Sequence, residues 1–252
     1  MSKIKHTVTI ALLIQIFTSF LIAFSIGFQS VIDLSILDWA ILQGLLAGLV
    51  SLFLRMPMWW IPIHLIFMPL TIAVLALNIS SNWFLVLFLC LLSIYGKTYK
   101  TQVPLYLSSK SVNQALTTLL PQQGIFSFID LGSGCGGLVN NLANTHKNGL
   151  FYGIEYAPLP FLISKLRSIF SGSTSKIVWG DFWNHDFSSY DVVYAYLSPV
   201  PMASLWQKAT KEMRPGSFLI SNTFIIPDIP PDKSIKLDDF SNSTLYLWKI
   251  RI

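Results

Sequence analysis

Three acidic residues and one glycine-rich turn have the types and spacing that binding chemistry needs. The turn is Gly132-Ser-Gly-Cys-Gly-Gly137, which contains the pattern Gly-x-Gly-x-x-Gly. Such a turn lets the backbone approach a nucleotide-like ligand closely. Asp130 precedes the turn by two residues, while Glu155 and Asp181 follow it at intervals typical of successive strand ends. A carboxylate at position 130 would repel a pyrophosphate and attract a cation. The pattern therefore favours a positively charged nucleoside that has no phosphate.

The segment Asp130-Leu-Gly-Ser-Gly134 resembles motif I of class I S-adenosylmethionine-dependent methyltransferases, whose cofactor carries a sulfonium and an ammonium. We expect Glu155 to accept hydrogen bonds from the ribose hydroxyls. Asp181 would accept from the adenine amino group, and an aromatic neighbour would pack on the ring. The predicted cofactor-binding residues in this part of the chain are Asp130, Gly132, Ser133, Gly134, Glu155, Tyr156, Asp181 and Phe182.

Two other interpretations of these residues stay open at this stage. A nicotinamide or flavin enzyme can use the same glycine turn. Asp130 or Glu155, taken alone, could serve only to cap the following turn or helix. The occurrence of three acids in the correct order beside the glycine turn is what favours S-adenosyl-L-methionine as the cofactor.

The residues after the predicted fourth strand are candidates to hold the methyl acceptor. A lysine amine has a pKa near ~10.4, so freeing its lone pair at neutral pH costs roughly 4–5 kcal/mol. Burial beside hydrogen-bond acceptors offsets that cost. We predict Tyr196, Ser198 and Pro199 as the catalytic residues that contact the acceptor. Tyr196 stands where amino-methyltransferases often have the Asn of an Asn-Pro-Pro-Tyr loop. The alternative is that the aromatic side chains are strand core and that Ser198–Pro201 is only a turn.

From Val103 onward, the chain also resembles the lysine methyltransferases that modify mitochondrial membrane proteins, the ATP synthase c-subunit and the adenine nucleotide translocase. The matching segments are Val103–Ser109, Asp130–Gly134, Gly153–Glu155, Leu197–Pro199, Glu212–Gly216 and Leu245–Trp248. The resemblance implies that Tyr106 and Ser108 bind the cofactor, in a segment that covers it. It also implies a lysine of a small hydrophobic membrane protein as the acceptor. The chain departs from the family at Cys135, where an acid is usual, and in its long apolar N-terminal part.

Two further functions compete with lysine methylation. The acceptor could be a lipid, a quinone or an isoprenoid end group, or the chain could be a membrane scaffold with a catalytically silent nucleotide fold.

The elements that must position these residues alternate along the second part of the chain. Strands are predicted over 125–131, 150–155, 176–180, 191–197 and 217–224, with an edge strand over 245–250; helices are predicted over 138–145, 160–170 and 202–213. Strands separated by helices indicate parallel βαβ units. We therefore predict an α/β fold, a doubly wound, mostly parallel, Rossmann-like methyltransferase sheet, following an α-helical membrane domain.

The membrane prediction rests on residues 1–96, which contain only five of the charged side chains. Four apolar runs cover 7–28, 36–54, 57–78 and 79–96, and roughly 20 helical residues cross a bilayer. Basic residues fall in alternate loops, which places both termini in the cytoplasm. We predict a transmembrane domain of four helices over 1–96 and a cytoplasmic methyltransferase domain over 97–252, in the inner (cytoplasmic) membrane. Within the third run, His64 is a candidate either for function or for hydrogen-bonded packing.

Charge and cysteine content limit the partners. The chain of 252 residues has a formal charge of +5 and two cysteines. Its basic residues form no run, so we expect membrane lipids rather than nucleic acid as the anionic partner. Two cysteines exclude a disulfide scaffold. We predict no metal site, because His146 and His185 lack the spacing of metal ligands.

Overall fold

The structure is a computed structural model that describes residues 2–26, 34–96, 98 and 103–251, with side chains from residue 7 onward. The chain forms two compact units, Met1–Phe84 and Leu85–Ile252. This division falls inside the fourth helix, before the boundary at 96/97 that the sequence predicts. Much of the loop-charge prediction concerns positions 3, 5, 97 and 100, whose side chains lie outside the described residues.

Four helices match the four predicted apolar runs: α1 (Ser2–Ile26), α2 (Ile36–Phe53), α3 (Trp60–Ala76) and α4 (Ser81–Tyr95). Two apolar stretches, Thr7–Ile26 and Ile36–Phe53, are long enough to cross a membrane, whereas α3 and α4 are shorter. The third helix is thus shorter than predicted. Pro57 lies in the turn before it, where its carbonyl accepts the Trp60 N–H at 3.0 Å.

Small and polar side chains join the helices of the first unit. A Cβ on Gly44 would lie 2.6 Å from the Leu65 carbonyl oxygen, so glycine lets α2 approach α3 closely. The Gln15 Nε2 donates to His64 Nδ1 at 2.8 Å, and the Gln43 Nε2 donates to Gln15 Oε1 at 2.8 Å. His64 is buried. The hydrogen bond agrees with the packing interpretation, while a function for His64 stays a prediction, since its Nε2 is buried without a partner among the described residues.

The second unit is built on a mixed sheet of seven strands in the order β3-β2-β1-β4-β5-β7-β6. The strands are β1 (Phe126–Leu131), β2 (Gly149–Glu155), β3 (Lys176–Trp179), β4 (Val192–Ala195), β5 (Phe218–Asn222), β6 (Lys233–Lys236) and β7 (Thr244–Lys249). The first five pair in parallel, while β7 is antiparallel to both β5 and β6. The helices are α5 (Lys110–Leu119), α6 (Gly137–Thr145), α7 (Pro158–Phe170) and α8 (Met202–Glu212), with a 3₁₀ turn at Phe182–Asn184.

The predicted Rossmann-like methyltransferase sheet is present, with one error at its edge. The strand predicted over 245–250 is β7, which lies inside the sheet, and β6 is the edge. β6 reads Lys-Ser-Ile-Lys. Short, lysine-bearing strands are common at sheet edges because they discourage pairing with other chains. Such a strand has almost no apolar signal, which is why the sequence analysis missed it.

The core lies on both faces of this sheet. Adjacent residues of β1 point to opposite faces, so that Phe128 packs under α5 and α6 while Ile129 packs towards α8. Burial on both faces is what makes β1 and β4 nearly continuous apolar runs. Because the first five strands are parallel, their carboxyl ends lie at the same edge of the sheet, and the predicted site residues lie at this edge.

Candidate cofactor site and active site

The glycine turn leaves β1 and enters α6. The N–H groups of Gly132 and Ser133 both donate to the Ile154 carbonyl, at 2.9 and 3.0 Å, which ties the turn to the end of β2. Gly134 has φ 53°, and a Cβ at this position would lie 2.9 Å from the Leu105 side chain. The left-handed backbone favours glycine at 134, whereas the contact is with the end of the Leu105 side chain, which can shift.

Glu155 connects the turn to the following helix. Its Oε2 accepts the Gly134 N–H at 2.8 Å, and its Oε1 accepts the Ala157 N–H at 2.7 Å. Burial raises the pKa of Glu155, although these backbone hydrogen bonds act in the opposite direction. Glu155 does not cap the following helix, which has no side-chain cap; its bond to the Ala157 N–H fixes the turn before that helix. Because each carboxylate oxygen has a second lone pair, the side chain can still accept from a ligand.

Asp130 is the most strongly perturbed acid of the site. It lies near the end of β1, between Gly153 of β2 and Tyr194 of β4, and is buried. Burial, and to a smaller extent the charge of Glu155, raises the pKa of Asp130 to about 8. Burial thus favours the protonated form of Asp130 in the unliganded chain, and its role as a carboxylate that faces a cation stays a prediction. A cation placed beside it would favour the ionised form.

Two cavities at this edge of the sheet share Tyr106, Gly132 and Tyr196. The predicted residues that line the first are Tyr106, Gly132, Glu155, Tyr156, Asp181, Phe182 and Tyr196. Those that line the second are Tyr106, Ser108, Asp130, Gly132, Ser133 and Tyr196. Gly134 lines neither cavity and instead shapes the turn. The structure therefore brings nine of the ten predicted cofactor residues to two adjoining spaces.

The adenine side of the first cavity is built on a turn that Asp181 starts. Its Oδ1 accepts the Trp183 N–H at 3.0 Å, which begins the 3₁₀ turn after β3. This places the rings of Phe182 and Trp183 4.8 Å apart at the cavity wall. An acid beside two aromatic rings suits an adenine, which offers both an amino group and a flat apolar face.

The segment before α5 passes over both cavities. Tyr106 stacks on Tyr196 with ring centroids 4.9 Å apart, and Phe224 lies 5.8 Å from Tyr106. Ser108 shares a hydrogen bond of 2.9 Å with the Tyr194 hydroxyl. Tyr194 is fully buried, and burial together with the Asp130 charge raises its pKa. Tyr194 thus anchors this segment, a role that the sequence does not reveal because a tyrosine in a buried strand gives the same signal as ordinary core.

The predicted catalytic residues do not lie together. Tyr196 lines both cavities, but neither Ser198 nor Pro199 lines either one. The Ser198 hydroxyl is buried without a partner among the described residues. The Pro199 carbonyl accepts the Met202 N–H at 3.4 Å, at the entry to α8. For Ser198 and Pro199 a catalytic role stays a prediction, and the turn interpretation accounts for their positions.

The donor set fits S-adenosylmethionine. Asp130 would face the cationic amino-acid part, Glu155 the ribose, and Asp181 with Phe182 the adenine. The second cavity also contains Arg167, which the sequence analysis did not single out, and a guanidinium there can pair with the carboxylate of the methionine part. The described residues contain no group of three or more His, Cys, Asp or Glu side chains that would hold a metal ion.

Similarity to known proteins agrees with this geometry. A family model described as the ANTKMT methyltransferase domain matches residues 130–233. A protein-lysine N-methyltransferase of Saccharolobus islandicus is 30% identical over 124 residues, which cover 48% of this chain and 77% of that protein. The crystal structure of an RNA methyltransferase from Salinibacter ruber, in complex with S-adenosyl-L-homocysteine, superposes with a TM-score of 0.53 at 26% identity. That alignment covers 58% of this chain and 94% of the other. With its motif I turn, its strand-end acids and these relatives, the chain belongs to the class I S-adenosylmethionine-dependent methyltransferases.

Proposed function

We propose that the chain is a membrane-anchored protein-lysine N-methyltransferase that acts on a lysine of a small membrane protein. The observation that carries the proposal is the aromatic group Tyr106, Tyr196 and Phe224, which lies beside the cofactor turn. The ring faces and edges that are not in contact with one another can pack on the methylene chain of a lysine and attract its ammonium. The Saccharolobus relative, whose name states this activity, supports the same acceptor.

The chemistry needs alignment and an unprotonated amine. When bound, S-adenosylmethionine supplies a methyl group on a sulfonium, which an amine lone pair can attack in line. Tyr196 lines both of the cavities that we assign to the cofactor, so its ring would lie between the adenosine and methionine parts, beside the methyl group to be transferred. Holding them aligned can supply roughly 7–11 kcal/mol of the barrier. We assign the Tyr196 hydroxyl to accept a hydrogen bond from the amine and thereby orient its lone pair.

The membrane part of the proposal rests on the first unit. Two of its apolar stretches are long enough to cross a bilayer. Most of their residues are exposed, and in Thr7–Ile26 only 17% of the residues of the apolar stretch are buried inside the protein. A soluble protein would leave few such side chains in water. An anchored enzyme meets membrane-protein substrates by encounter in two dimensions. We place the catalytic unit in the cytoplasm, on the charge distribution of the loops.

A lipid, quinone or isoprenoid acceptor is the second candidate. It is favoured by the apolar lining of the first cavity, where Val103, Leu105 and Leu197 stand beside the aromatic rings. A catalytically silent scaffold is less consistent with the cavities, because a scaffold has no need of converging acids and an aromatic mouth.

The test is methyl transfer from tritiated S-adenosylmethionine to membranes of cells that lack this protein. Purified full-length chain is added, with the Asp130→Ala variant as the inactive control. We expect acid-stable label in a small membrane protein, recovered as methyl-lysine after hydrolysis. Label in the organic phase with none in protein would overturn the lysine acceptor. Two results together would overturn the assignment of methyltransferase activity: equal background labelling by the wild type and the Asp130→Ala variant, and no binding of S-adenosylhomocysteine by the wild type.

A further inference from the structure

Helix α7 buries small side chains against the rest of the unit and exposes large apolar ones. Its buried side chains are Pro160, Ser164 and Ser168, which are small and spaced by four residues. Its outer face carries large apolar side chains that are exposed to solvent in this chain: Leu162, Leu166, Ile169 and Phe170 are exposed by 50, 43, 66 and 85%. A helix on a sheet face normally buries its apolar stripe and exposes its polar one.

Local contacts show why α7 has this orientation. Ser168 Oγ donates to the Ser175 carbonyl at 3.3 Å, in the loop that follows the helix, whereas the buried Ser164 hydroxyl has no partner among the described residues. Gly136 leaves room for Ser164, since a Cβ on that glycine would clash with the serine side chain. The inward face is therefore fixed by close packing against the cofactor turn. The apolar face is exposed because the opposite face of α7 is packed closely against the glycine turn; the helix is not loosely attached.

The apolar face continues onto the edge of the sheet. β3 is an edge strand, and its Trp179 is 61% exposed. The Trp179 ring packs on Phe161 of α7 with centroids 6.4 Å apart, and its indole N–H donates to the Tyr156 carbonyl at 2.9 Å. We call the surface formed by Leu162, Leu166, Ile169, Phe170 and Trp179 the α7 face. A patch of this kind on a soluble unit marks an interaction site.

The charge around the α7 face indicates its partner. Residues 156–180 contain Lys165, Arg167 and Lys176; Arg167 also lines the second cavity, and the acids at the two ends of this segment, Glu155 and Asp181, line the first cavity. Lys165 flanks the apolar stripe and is exposed. An apolar helix face with basic flanks and a tryptophan is typical of helices that lie in the headgroup region of a bilayer. A second copy of the chain fits less well, since a two-fold contact across this face would set Lys165 near its own copy with no acid to pair with.

We propose that the α7 face binds the surface of a bilayer that contains anionic lipids. This contact is made by the catalytic unit itself and is separate from the anchoring by α1 and α2. It does not depend on which acceptor is methylated. Its effect is to hold the catalytic unit at the headgroup level, where a lysine at the membrane surface is within reach.

The test uses the full chain in vesicles of phosphatidylcholine, with and without phosphatidylglycerol, that contain a lipid with a photoreactive acyl chain. Labelled peptides are mapped by mass spectrometry. We expect label on residues 159–170, and more of it when phosphatidylglycerol is present. The triple variant Leu166→Ser, Ile169→Ser, Phe170→Ser should lose this label while it retains binding of S-adenosylhomocysteine. Lys165→Gln should lower the advantage of phosphatidylglycerol about fivefold. As a matched control, Phe240→Ser removes an exposed apolar side chain beside β6, at the opposite edge of the sheet, and should change nothing.

The outcomes separate this proposal from the membrane anchor. Label on α1 and α2 but not on α7 would overturn the α7 contact and leave the anchor standing. Label on none of these helices would overturn both. Cross-links between α7 of two copies, in place of lipid label, would show that a second chain covers the face and would also overturn the lipid contact.

Discussion

Replacement of Asp130 by Asn tests the electrostatic reasoning on the cofactor site. Burial raises the pKa of Asp130 to about 8 in the unliganded chain. A bound cation favours the carboxylate, so the pKa falls on binding and a proton is released. At pH 7 the release should be about 0.9 proton per cofactor bound. The ionised fraction of the free protein rises from about 1% at pH 6 to about 9% at pH 7, so binding should tighten about ninefold over that interval.

The assay is calorimetric titration with S-adenosylmethionine between pH 6 and 7, in two buffers of different ionisation enthalpy. Over this range the ammonium of the ligand stays largely charged. The difference in observed heat gives the number of protons released. Asp130→Asn keeps the shape of the side chain but cannot ionise, and should show no release and a flat affinity. The two proteins should converge as the pH falls, because protonated Asp130 is also uncharged.

Glu155 is the control for this experiment, since burial raises its pKa as well. Glu155→Gln should weaken binding and reduce the proton release by Asp130 only in part, because burial, and not the charge of Glu155, is the larger cause of the raised pKa of Asp130. Wild-type binding that is independent of pH, or an Asp130→Asn variant that releases the same number of protons, would refute the assignment of Asp130 as the counterion of the cofactor.

Three other substitutions test separate parts of the structure. Gly134→Ala forces a side chain into φ 53° against the segment before α5, and the strain of about 1–2 kcal/mol should weaken binding of S-adenosylhomocysteine roughly tenfold by calorimetry. Tyr194→Phe removes the bond to Ser108, worth about 1 kcal/mol, and should weaken the same binding about fivefold while far-UV circular dichroism stays unchanged. Gln43→Leu leaves its buried polar partners unsatisfied, and we expect a loss of about 1–3 kcal/mol in a detergent-solubilised unfolding assay, against no loss for the exposed control Thr71→Val.

Much of the cofactor site follows from local sequence. The glycine turn follows β1, Glu155 is the last residue of β2, and Asp181 lies two residues after β3, and parallel strands bring such residues to one edge. Strand alternation and spacing are local properties, so a single sequence is enough to place these residues. The same applies to α7, whose bounds the helical pattern and the leading prolines predict within two residues.

Other features depend on contacts between distant segments, and the sequence carries no direct signal for them. The bond between Ser108 and Tyr194 joins residues 86 positions apart. The protonated state of Asp130 results from burial by several elements at once, whereas its residue type alone indicates a charge. The apolar stripe of α7 was assigned to a helix correctly, but periodicity does not tell which face of a helix is inside.

Burial has a second consequence for the proposed reaction, because it acts on the acceptor as well as on Asp130. An environment of low dielectric favours the neutral form of every ionisable group, so it raises the pKa of an acid and lowers the pKa of an amine. Before the cofactor binds, burial raises the pKa of Asp130 and so favours its protonated form. After binding, its charge is balanced by the cationic methionine part. The acceptor amine would then lie beside the aromatic rings of Tyr106 and Tyr196, which replace water, while Glu155 and Asp181 would face the ribose and the adenine. The ammonium form loses hydration and gains no free carboxylate, so deprotonation is favoured in the fully assembled complex, when the methyl group is in place.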